Sequence, residues 1–336
     1  MRNLEFVRCA FGICAGVAML TGCGGSQPPI GMPNFLPKSP QSSGIAKPLS
    51  VMPTYKVSGP LLYVASADPD IASLRIYKAN VDNPKPIAAI SKDIAGSGGP
   101  CIDGDGTLYV PNYSGEASWV SEYALGQTKP LRVITKGIND PGYCAIDASG
   151  NLWVTNIGLD DVAEYLKGST KPHATITEGL TYPDGIAIDH AGNLYVGNNL
   201  AGYSQSNIQV YAPGNKSPSR TITDGITWPV GFAVDAHDTL YVANFTLGRS
   251  DVPGNVEEYQ SGQSKPYRTL TEKIINPADV VVDKDGWLYV ASWAHTSGQQ
   301  TVILEFPPHS LKPSSREITE GVVEPQGLAY YPPVLP

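Results

Sequence analysis

The stretch Pro183-Asp184-Gly185-Ile186-Ala187-Ile188-Asp189-His190-Ala191-Gly192-Asn193-Leu194-Tyr195-Val196 decides the fold, because its parts recur in phase along the chain. Its final apolar triplet occurs six times, with copies that begin at Leu62, Leu108, Leu152, Leu194, Leu240 and Leu288. An Asp stands six residues before the aromatic residue of the last five copies, and a Pro stands six residues before four of these Asp residues. Three markers that keep phase through a chain are typical of a repeat architecture.

Each repeat resolves into four short strands, which we call A to D in chain order. In the repeat that begins at Pro183 we predict strands over 185–189, 194–197, 208–211 and 220–223, each rich in β-branched and aromatic residues. Successive triplets are 42 to 48 residues apart, which is the spacing of four-stranded propeller blades. The sequence therefore predicts an all-β fold, a six-bladed β-propeller with four antiparallel strands per blade.

The two ends of the repeat region predict how the ring closes. Residues 324–331 match the start of a repeat, whereas residues 61–66 begin directly at a strand B. We therefore expect residues 59–336 to form the ring, with one C-terminal and three N-terminal strands in the closing blade. Gly and Pro are too frequent, at 35 and 30 residues, for a helical bundle.

The N-terminal residues have the features of an export signal. Arg2 and Arg8 give the N-terminus its positive charge, and an apolar run of 12 residues extends from Cys9 to Leu20. The sequence Leu20-Thr21-Gly22-Cys23 that follows resembles the lipobox of bacterial lipoproteins. This resemblance implies cleavage before Cys23 and a lipid on that cysteine. An ordinary signal peptide is the alternative.

These features predict three parts and a location. Residues 1–22 are the signal peptide, 23–58 are the lipidated cysteine and a Pro-, Gly- and Ser-rich tether, and 59–336 are the propeller. We expect an exported monomer, lipid-anchored to the cell membrane or the outer membrane, with the propeller in the periplasm or outside the cell. The net charge of −8 argues against a nucleic-acid partner, because such a protein carries a basic surface.

The repeat over roughly residues 59–336 resembles the NHL repeat, although Asn stands at four positions where that family usually has Asp. Six-bladed propellers also include the SMP-30/gluconolactonase family, whose channel holds a divalent metal on Glu, Asn and Asp. That likeness implies an alternative function, a metal-dependent hydrolase or lactonase, with Asp184 and Asp279 as ligands of a cation such as calcium. The inner strands carry no Glu, and the chain has no GxSxG or HExxH motif. We therefore expect a binding module that needs no cofactor.

The predicted topology separates two faces of the propeller. The A–B and C–D turns lie on one side, which we call the turn face, and the B–C and D–A loops lie on the other, the loop face. The B–C loops are long and unlike one another, so we expect a protein, glycan or small molecule to bind there. The candidate binding residues at the channel mouth are Tyr143, Asp184, Trp228, Asp279, His295 and Gln326, with Asn112, Asn156, Asn198, Asn244, Ser66 and Ser292 at the ends of strands B.

The recurring Asn residues have two interpretations. Their amides could bind sugar hydroxyls or a hard cation, or they could cap the ends of strand B through bonds to the backbone. We favour capping. By the same logic, the Asp-x-x-Gly segments are predicted to be A–B hairpin turns rather than calcium loops.

Two further predictions concern side-chain pairs. Glu122, Glu258 and Glu305 should form cross-strand ion pairs with Arg132, Arg268 and Arg316 on the outer strands. For Cys101 and Cys144 we predict free thiols, because counting from Asp103 and Asp147 places them on opposite sides of successive inner strands. A disulfide needs Cβ atoms about 4 Å apart, which this phase disfavours.

Overall fold

A computed structural model of the protein describes residues 54–66, 73–115, 117–199, 205–246, 254–293 and 301–336. Within these residues, 24 strands form six four-stranded antiparallel sheets, so the six-bladed propeller is confirmed. One 3₁₀ helix, Ile157–Leu159, follows strand B of the third blade. No helix in the described part of the chain is long and apolar enough to cross a bilayer.

The strands in chain order are β1 (Leu61–Ser66), β2 (Leu74–Lys78), β3 (Ala88–Ile90), β4 (Cys101–Ile102), β5 (Leu108–Tyr113), β6 (Ser118–Tyr123), β7 (Arg132–Ile134), β8 (Pro141–Ile146), β9 (Leu152–Asn156), β10 (Asp161–Tyr165), β11 (Ala174–Ile176), β12 (Pro183–Ile188), β13 (Leu194–Asn198), β14 (Asn207–Tyr211), β15 (Arg220–Ile222), β16 (Pro229–Val234), β17 (Leu240–Asn244), β18 (Asn255–Tyr259), β19 (Arg268–Leu270), β20 (Pro277–Val282), β21 (Leu288–Ser292), β22 (Val302–Phe306), β23 (Glu317–Ile318) and β24 (Pro325–Tyr331). Blade 1 has the order β24-β1-β2-β3, and blades 2 to 6 each use four consecutive strands from β4 onward.

Ring closure follows the predicted pattern. β24 pairs with β1 in antiparallel register from Leu61↔Tyr331 to Ala65↔Gly327. As strand A of blade 1, β24 also packs against the inner strands of both neighbouring blades, β20 and β4. The residues just before the ring are attached to it as well, because the Tyr55 N–H donates to Gly126 O at 2.9 Å in the C–D turn of blade 2.

The six-residue spacing between Asp and the aromatic residue has a direct structural cause. In blade 4, Asp189 Oδ1 accepts the Asn193 N–H at 2.8 Å, and its Oδ2 accepts the Tyr195 hydroxyl at 3.0 Å. Gly192 in this turn has φ +81°, which favours glycine. The Asp therefore fixes both the A–B turn and the aromatic side chain of strand B. The turn interpretation is confirmed for these segments.

The predicted outer ion pairs are also present. Arg132 Nε lies 2.7 Å from Glu122 Oε2, Arg268 Nη2 lies 2.8 Å from Glu258 Oε1, and Arg316 Nε lies 3.3 Å from Glu305 Oε2. The three carboxylates are buried, and burial raises the pKa of Glu305 to about 7 although Arg316 opposes this shift. These pairs attach strand D to strand C in blades 2, 5 and 6.

The hydrophobic core is divided among the blade interfaces. Six clusters of buried side chains occur in the described part of the chain, and each is shared by two neighbouring blades. The two faces of a blade therefore pack against different neighbours. Successive residues of an inner strand point to opposite neighbours, because side chains alternate along a strand.

This alternation explains why the prediction of free thiols is wrong. Cys101 of β4 and Cys144 of β8 form a disulfide, with their Cα atoms 5.6 Å apart. Cys101 lies in the cluster shared by blades 2 and 3, and Cys144 Sγ reaches back to 3.6 Å from the carbonyl of Tyr109 in blade 2. Because the two residues face opposite sides of their strands, the Cys101 side chain points toward blade 3 and the Cys144 side chain points toward blade 2. This arrangement brings the sulfur atoms together at the interface between the blades.

Candidate functional site

The loop face is shaped by a staple that recurs at the end of strand B. In blade 4, Asn198 Oδ1 accepts the Thr181 N–H at 3.0 Å, and its Nδ2 donates to Gly179 O at 2.8 Å. One buried amide thus satisfies two backbone groups of the D–A loop, and the loop is held against the blade. Asn156 and Asn244 make the equivalent two bonds in blades 3 and 5.

Blades 1, 2 and 6 use variants of this staple. Asn112 Oδ1 accepts the Ala95 N–H at 3.0 Å, Ser292 Oγ accepts the Ile275 N–H at 3.1 Å, and Ser66 Oγ donates to Val323 O at 2.8 Å. All four Asn side chains are buried. These hydrogen bonds favour the capping interpretation over ligand binding by the Asn ring, whose binding role stays a prediction.

In five blades the residue that directly precedes strand A stands at the mouth of the channel, and Gly96 has the same repeat phase in blade 2. We call this set the rim ring; by repeat phase it comprises Gly96, Asp140, Tyr182, Trp228, Asn276 and Glu324. In blades 3 to 6 its carbonyl accepts the N–H of the residue that follows strand B, as in Trp228 O with Phe245 N at 2.9 Å. These four rim residues are therefore fixed by their backbone.

Three members of the rim ring have a backbone conformation that L-residues rarely adopt. Asp140 and Tyr182 have φ +49°, and Glu324 has φ +40°. Residues in this region store of order 1–3 kcal/mol of strain, and such residues cluster at functional sites. In Tyr182 the conformation is supported by Asp160 Oδ1, which accepts its N–H at 2.8 Å.

Aromatic side chains give part of the rim ring an apolar surface. Tyr182 and Trp228 are half-buried, and Trp228 packs against the cluster that contains Phe245 and Trp293. The rings of Phe245 and Trp293 lie 6.0 Å apart. Sequence analysis identified Trp228 but missed Tyr182. Its place directly before a repeat Pro, in phase with Trp228, was a usable signal.

Below the rim ring, Tyr143 crosses the channel. Its hydroxyl donates to Ala278 O at 2.6 Å in blade 6, directly opposite its own blade 3, and lies 3.1 Å from Gln326 O in blade 1. Gly99 leaves room for the ring, because a Cβ there would lie 1.7 Å from Tyr143 Cδ1. Burial raises the pKa of the Tyr143 hydroxyl well above its ordinary value. The side chain forms the floor of the loop-face mouth.

Asp279 lies beside Tyr143, and both of its carboxylate oxygens accept hydrogen bonds within the fold. Its Oδ1 accepts the Val280 N–H at 2.8 Å, and its Oδ2 accepts the Leu328 N–H at 2.7 Å from the neighbouring blade. Burial raises the pKa of Asp279 well above its usual range, although these two bonds oppose the shift. Asp279 therefore connects blades 6 and 1 at the axis.

Asp184 differs from Asp279 because one of its oxygens has no partner. Oδ2 accepts the Asn199 amide at 3.0 Å, whereas the buried Oδ1 makes no hydrogen bond. Gly142 makes space for this oxygen, since a Cβ there would lie 2.6 Å from it. Burial, and then the negative charge of Asp140, raise the pKa of Asp184 well above its usual range.

The structure thus brings together part of the predicted site. Tyr143, Asp184, Asp279 and the backbone of Gln326 meet at the axis, and Trp228 stands on the rim above them. The Asn residues lie in the staples. His295 lies outside the described residues.

The described residues fit a bound cation poorly. They contain no group of three or more His, Cys, Asp or Glu side chains arranged to hold a metal ion. Calcium takes six to eight oxygen ligands. Of the two predicted carboxylate ligands, Asp279 already accepts two backbone N–H groups, and only Asp184 has an oxygen to offer.

Comparison with known proteins supports the fold alone. No protein-family model matches the sequence, and no curated protein matches it. Hydrazine synthase of Kuenenia stuttgartiensis is structurally similar with a TM-score of 0.53 and 20% identity, over 66% of this chain and 66% of that one, just under two thirds of its length. A protein of unknown function from Bacteroides caccae has a TM-score of 0.62 and 13% identity, over 81% of this chain and 99% of that one.

Proposed function

We propose that this protein is an exported, lipid-anchored interaction module that binds its partner on the rim ring of the loop face. The partner is a protein, a glycan or a small molecule, as the sequence predicts. The resemblance to the NHL repeat agrees with a binding role but is not needed for it. The argument depends on the floor and the rim of the channel mouth.

The closure of the channel by Tyr143 is the observation that carries this proposal. Because its hydroxyl reaches Ala278 O across the ring, the mouth is shallow, and a partner meets the rim before it meets the axis. The two axial carboxyl groups are buried beneath the rim. This arrangement favours contact with a surface over reaction in a deep pocket.

The chemistry of the rim ring supports binding. Two half-buried aromatic side chains, Tyr182 and Trp228, offer rigid apolar area next to a polar group, which is why such residues are enriched at interfaces. The half-buried Glu324 adds a polar group to the same mouth, whereas Asp140 and Asn276 are buried beneath it. Strained backbone at Tyr182 would be retained if that side chain contacts the partner.

The disulfide supports export. Disulfides persist in oxidising compartments and are rare in the cytosol, so the Cys101–Cys144 bond agrees with the signal-like N-terminus. The lipid on Cys23 is tested separately. The wild type is expected in the membrane fraction with an acyl modification on Cys23, and Cys23→Ala is expected in the soluble exported fraction. Equal membrane association of both proteins would refute the anchor.

Site-specific photo-crosslinking tests the binding surface. A photoreactive phenylalanine analogue at Tyr182 or Trp228 should capture the same discrete partner in intact cells. Tyr267, an aromatic residue that is 42% exposed near the outer strand of blade 5, provides the matched control. Capture from Tyr267 but not from the rim would show that the outer edge of the blades is the binding surface.

The second candidate is a cation-dependent hydrolase, favoured by the unpartnered Oδ1 of Asp184. Thermal melts with Ca²⁺, Mn²⁺ or Zn²⁺ distinguish it from the interaction module. A cation-dependent rise in melting temperature that is lost in both Asp184→Ala and Asp279→Ala would place the hydrolase first. The interaction module predicts no specific shift with any of the three ions.

A further inference from the structure

The turn-face half of the channel contains a cavity of about 140 Å³ that the rim site does not use. Tyr143 and Asp279 separate it from the loop face. Its wall is formed by the inner strands of all six blades, and one position of the repeat supplies mostly small side chains there: Cys101, Ala145, Ala187, Ala233, Val281 and Ala329. An engineered apolar cavity of about 150 Å³ stays dry and binds benzene or xenon.

The exposure of two wall residues shows that this space is not filled by side chains. Ala145 and Val281 lie on inner strands at the centre of the molecule, yet each is only half-buried. Side chains in a packed centre would have no exposed surface. Their remaining surface therefore faces the cavity.

The wall also carries polar backbone groups. Each strand A is the end strand of its sheet, so it pairs with strand B on one edge only. Apart from groups bonded to another blade, such as Ala278 O, Leu328 N–H and Cys144 N–H, the N–H and C=O groups of its other edge face the channel. A guest that combines an apolar body with one hydrogen-bonding group fits such a wall better than a pure hydrocarbon.

The last residues of the chain cover this cavity. Pro333, Val334, Leu335 and Pro336 line it after β24 has ended. Leu335 packs on the cluster shared by blades 2 and 3, and a Cβ on Gly104 in the A–B turn of blade 2 would lie 3.3 Å from Leu335 Cδ1. The segment belongs to no strand and is half-buried, so it can leave without breaking a sheet.

We propose that the turn-face half of the channel binds one small molecule with an apolar body and a single hydroxyl, of about the size of phenol, and that residues 333–336 are its removable cover. The site lies on the opposite side of Tyr143 from the rim ring. It is therefore independent of the proposed partner surface.

Calorimetric titration of the full chain with phenol and with benzene tests the cavity. Phenol should bind, and about fivefold more tightly than benzene, because one hydrogen bond is added. Ala145→Leu should weaken phenol binding by at least about tenfold without lowering the melting temperature, because the new side chain occupies the space. Ala89→Leu, the same change on the outer strand β3, should bind like the wild type.

A milder variant keeps the test informative if Ala145→Leu fails to fold. Ala187→Val adds two methyl groups to the same wall and should weaken phenol binding severalfold. Removal of residues 333–336 should accelerate phenol release, measured by NMR line shape. Absence of phenol binding, equal binding by the filled variants, or benzene binding as tightly as phenol would overturn the site as described. An unchanged release rate would overturn the role of the cover.

Discussion

The two ends of the central channel are closed by different means. At the loop-face end, Tyr143 and Asp279 reach across blade boundaries and bond to the backbones of blades 6 and 1. At the turn-face end, small side chains leave a cavity, and a segment outside the ring covers it. The closure at the loop-face end joins blades to one another, whereas the segment that closes the turn-face end belongs to no blade. Perturbation of the two ends should therefore have very different effects.

Removal of chain from the C-terminus should give the largest effect. Deletion of residues 326–336 removes nearly all of β24, exposes β1 and opens the ring, so we expect the free energy of unfolding to fall by more than about 5 kcal/mol and cooperative melting to be lost. Deletion of residues 333–336 alone should change the melting temperature by less than about 5 °C. Circular dichroism melts of both variants test this contrast. A chain without residues 326–336 that melts like the parent would refute ring closure.

The disulfide should have the next largest effect, because it joins two inner strands at the cavity. Replacement of both Cys101 and Cys144 by Ala should cost about 2–4 kcal/mol of unfolding free energy, since the bond closes a loop with a sequence separation of 43 residues. A reductant should lower the melting temperature of the wild type and leave the double variant unchanged. Mass spectrometry of the unreduced protein should find the two cysteine peptides linked. Two separate thiol-containing peptides would restore the prediction of free thiols.

Removal of one hydroxyl at the loop-face end should give a smaller loss. Tyr143→Phe leaves the buried carbonyls of Ala278 and Gln326 without this donor, so we expect the unfolding free energy to fall by about 1–3 kcal/mol. Tyr113→Phe is the matched control, because its hydroxyl makes only an exposed bond at 3.4 Å to Gly115 O. Urea unfolding of both variants gives the comparison. If both variants lost equally little unfolding free energy, the Tyr143 hydroxyl would not contribute to holding the blades together.

The smallest effect should be a change in pH dependence at Asp184. Burial raises the pKa of this carboxyl in the folded state, so its contribution to stability is fully present below the unfolded pKa and is lost as pH rises through the folded value. Asp184→Asn removes this titration. The variant should become more stable relative to wild type as pH rises from about 5 to 8, because each pH unit over which folded Asp184 keeps its proton costs the wild type about 1.4 kcal/mol. Melting curves across that range that stay parallel for the two proteins would contradict the buried-carboxyl account.

Much of the fold could be predicted from local signals. In blades 2, 3 and 4 the Asp, Gly and aromatic residues of the A–B turn bond to one another within seven residues, as in Asp189 with Gly192 and Tyr195. Such contacts appear in the sequence as fixed spacings, so the blades, their number and the ring closure were predictable. The Asn staple was partly predictable from the sequence, because Asn198 and its partner Thr181 also have a constant separation in the repeat.

The features around the axis could not be predicted, because they depend on distances between blades. Counting along a strand cannot show that Cys101 and Cys144 face each other across an interface. Nothing local indicates that the Tyr143 side chain spans the channel, since its partners lie 135 and 183 residues away in sequence. Residues 333–336 follow the last repeat, so the spacing of the repeats does not predict where they lie. The sequence therefore predicted on which face the candidate site lies, but not which of its residues contact one another.

The contact between Tyr55 and Gly126 has a consequence for orientation. It fixes the chain preceding the ring to the turn face, because Gly126 belongs to a C–D turn. Whatever is attached through the residues before Thr54 is therefore joined to the ring on the turn face. The rim ring lies on the opposite face, so such an attachment leaves it uncovered.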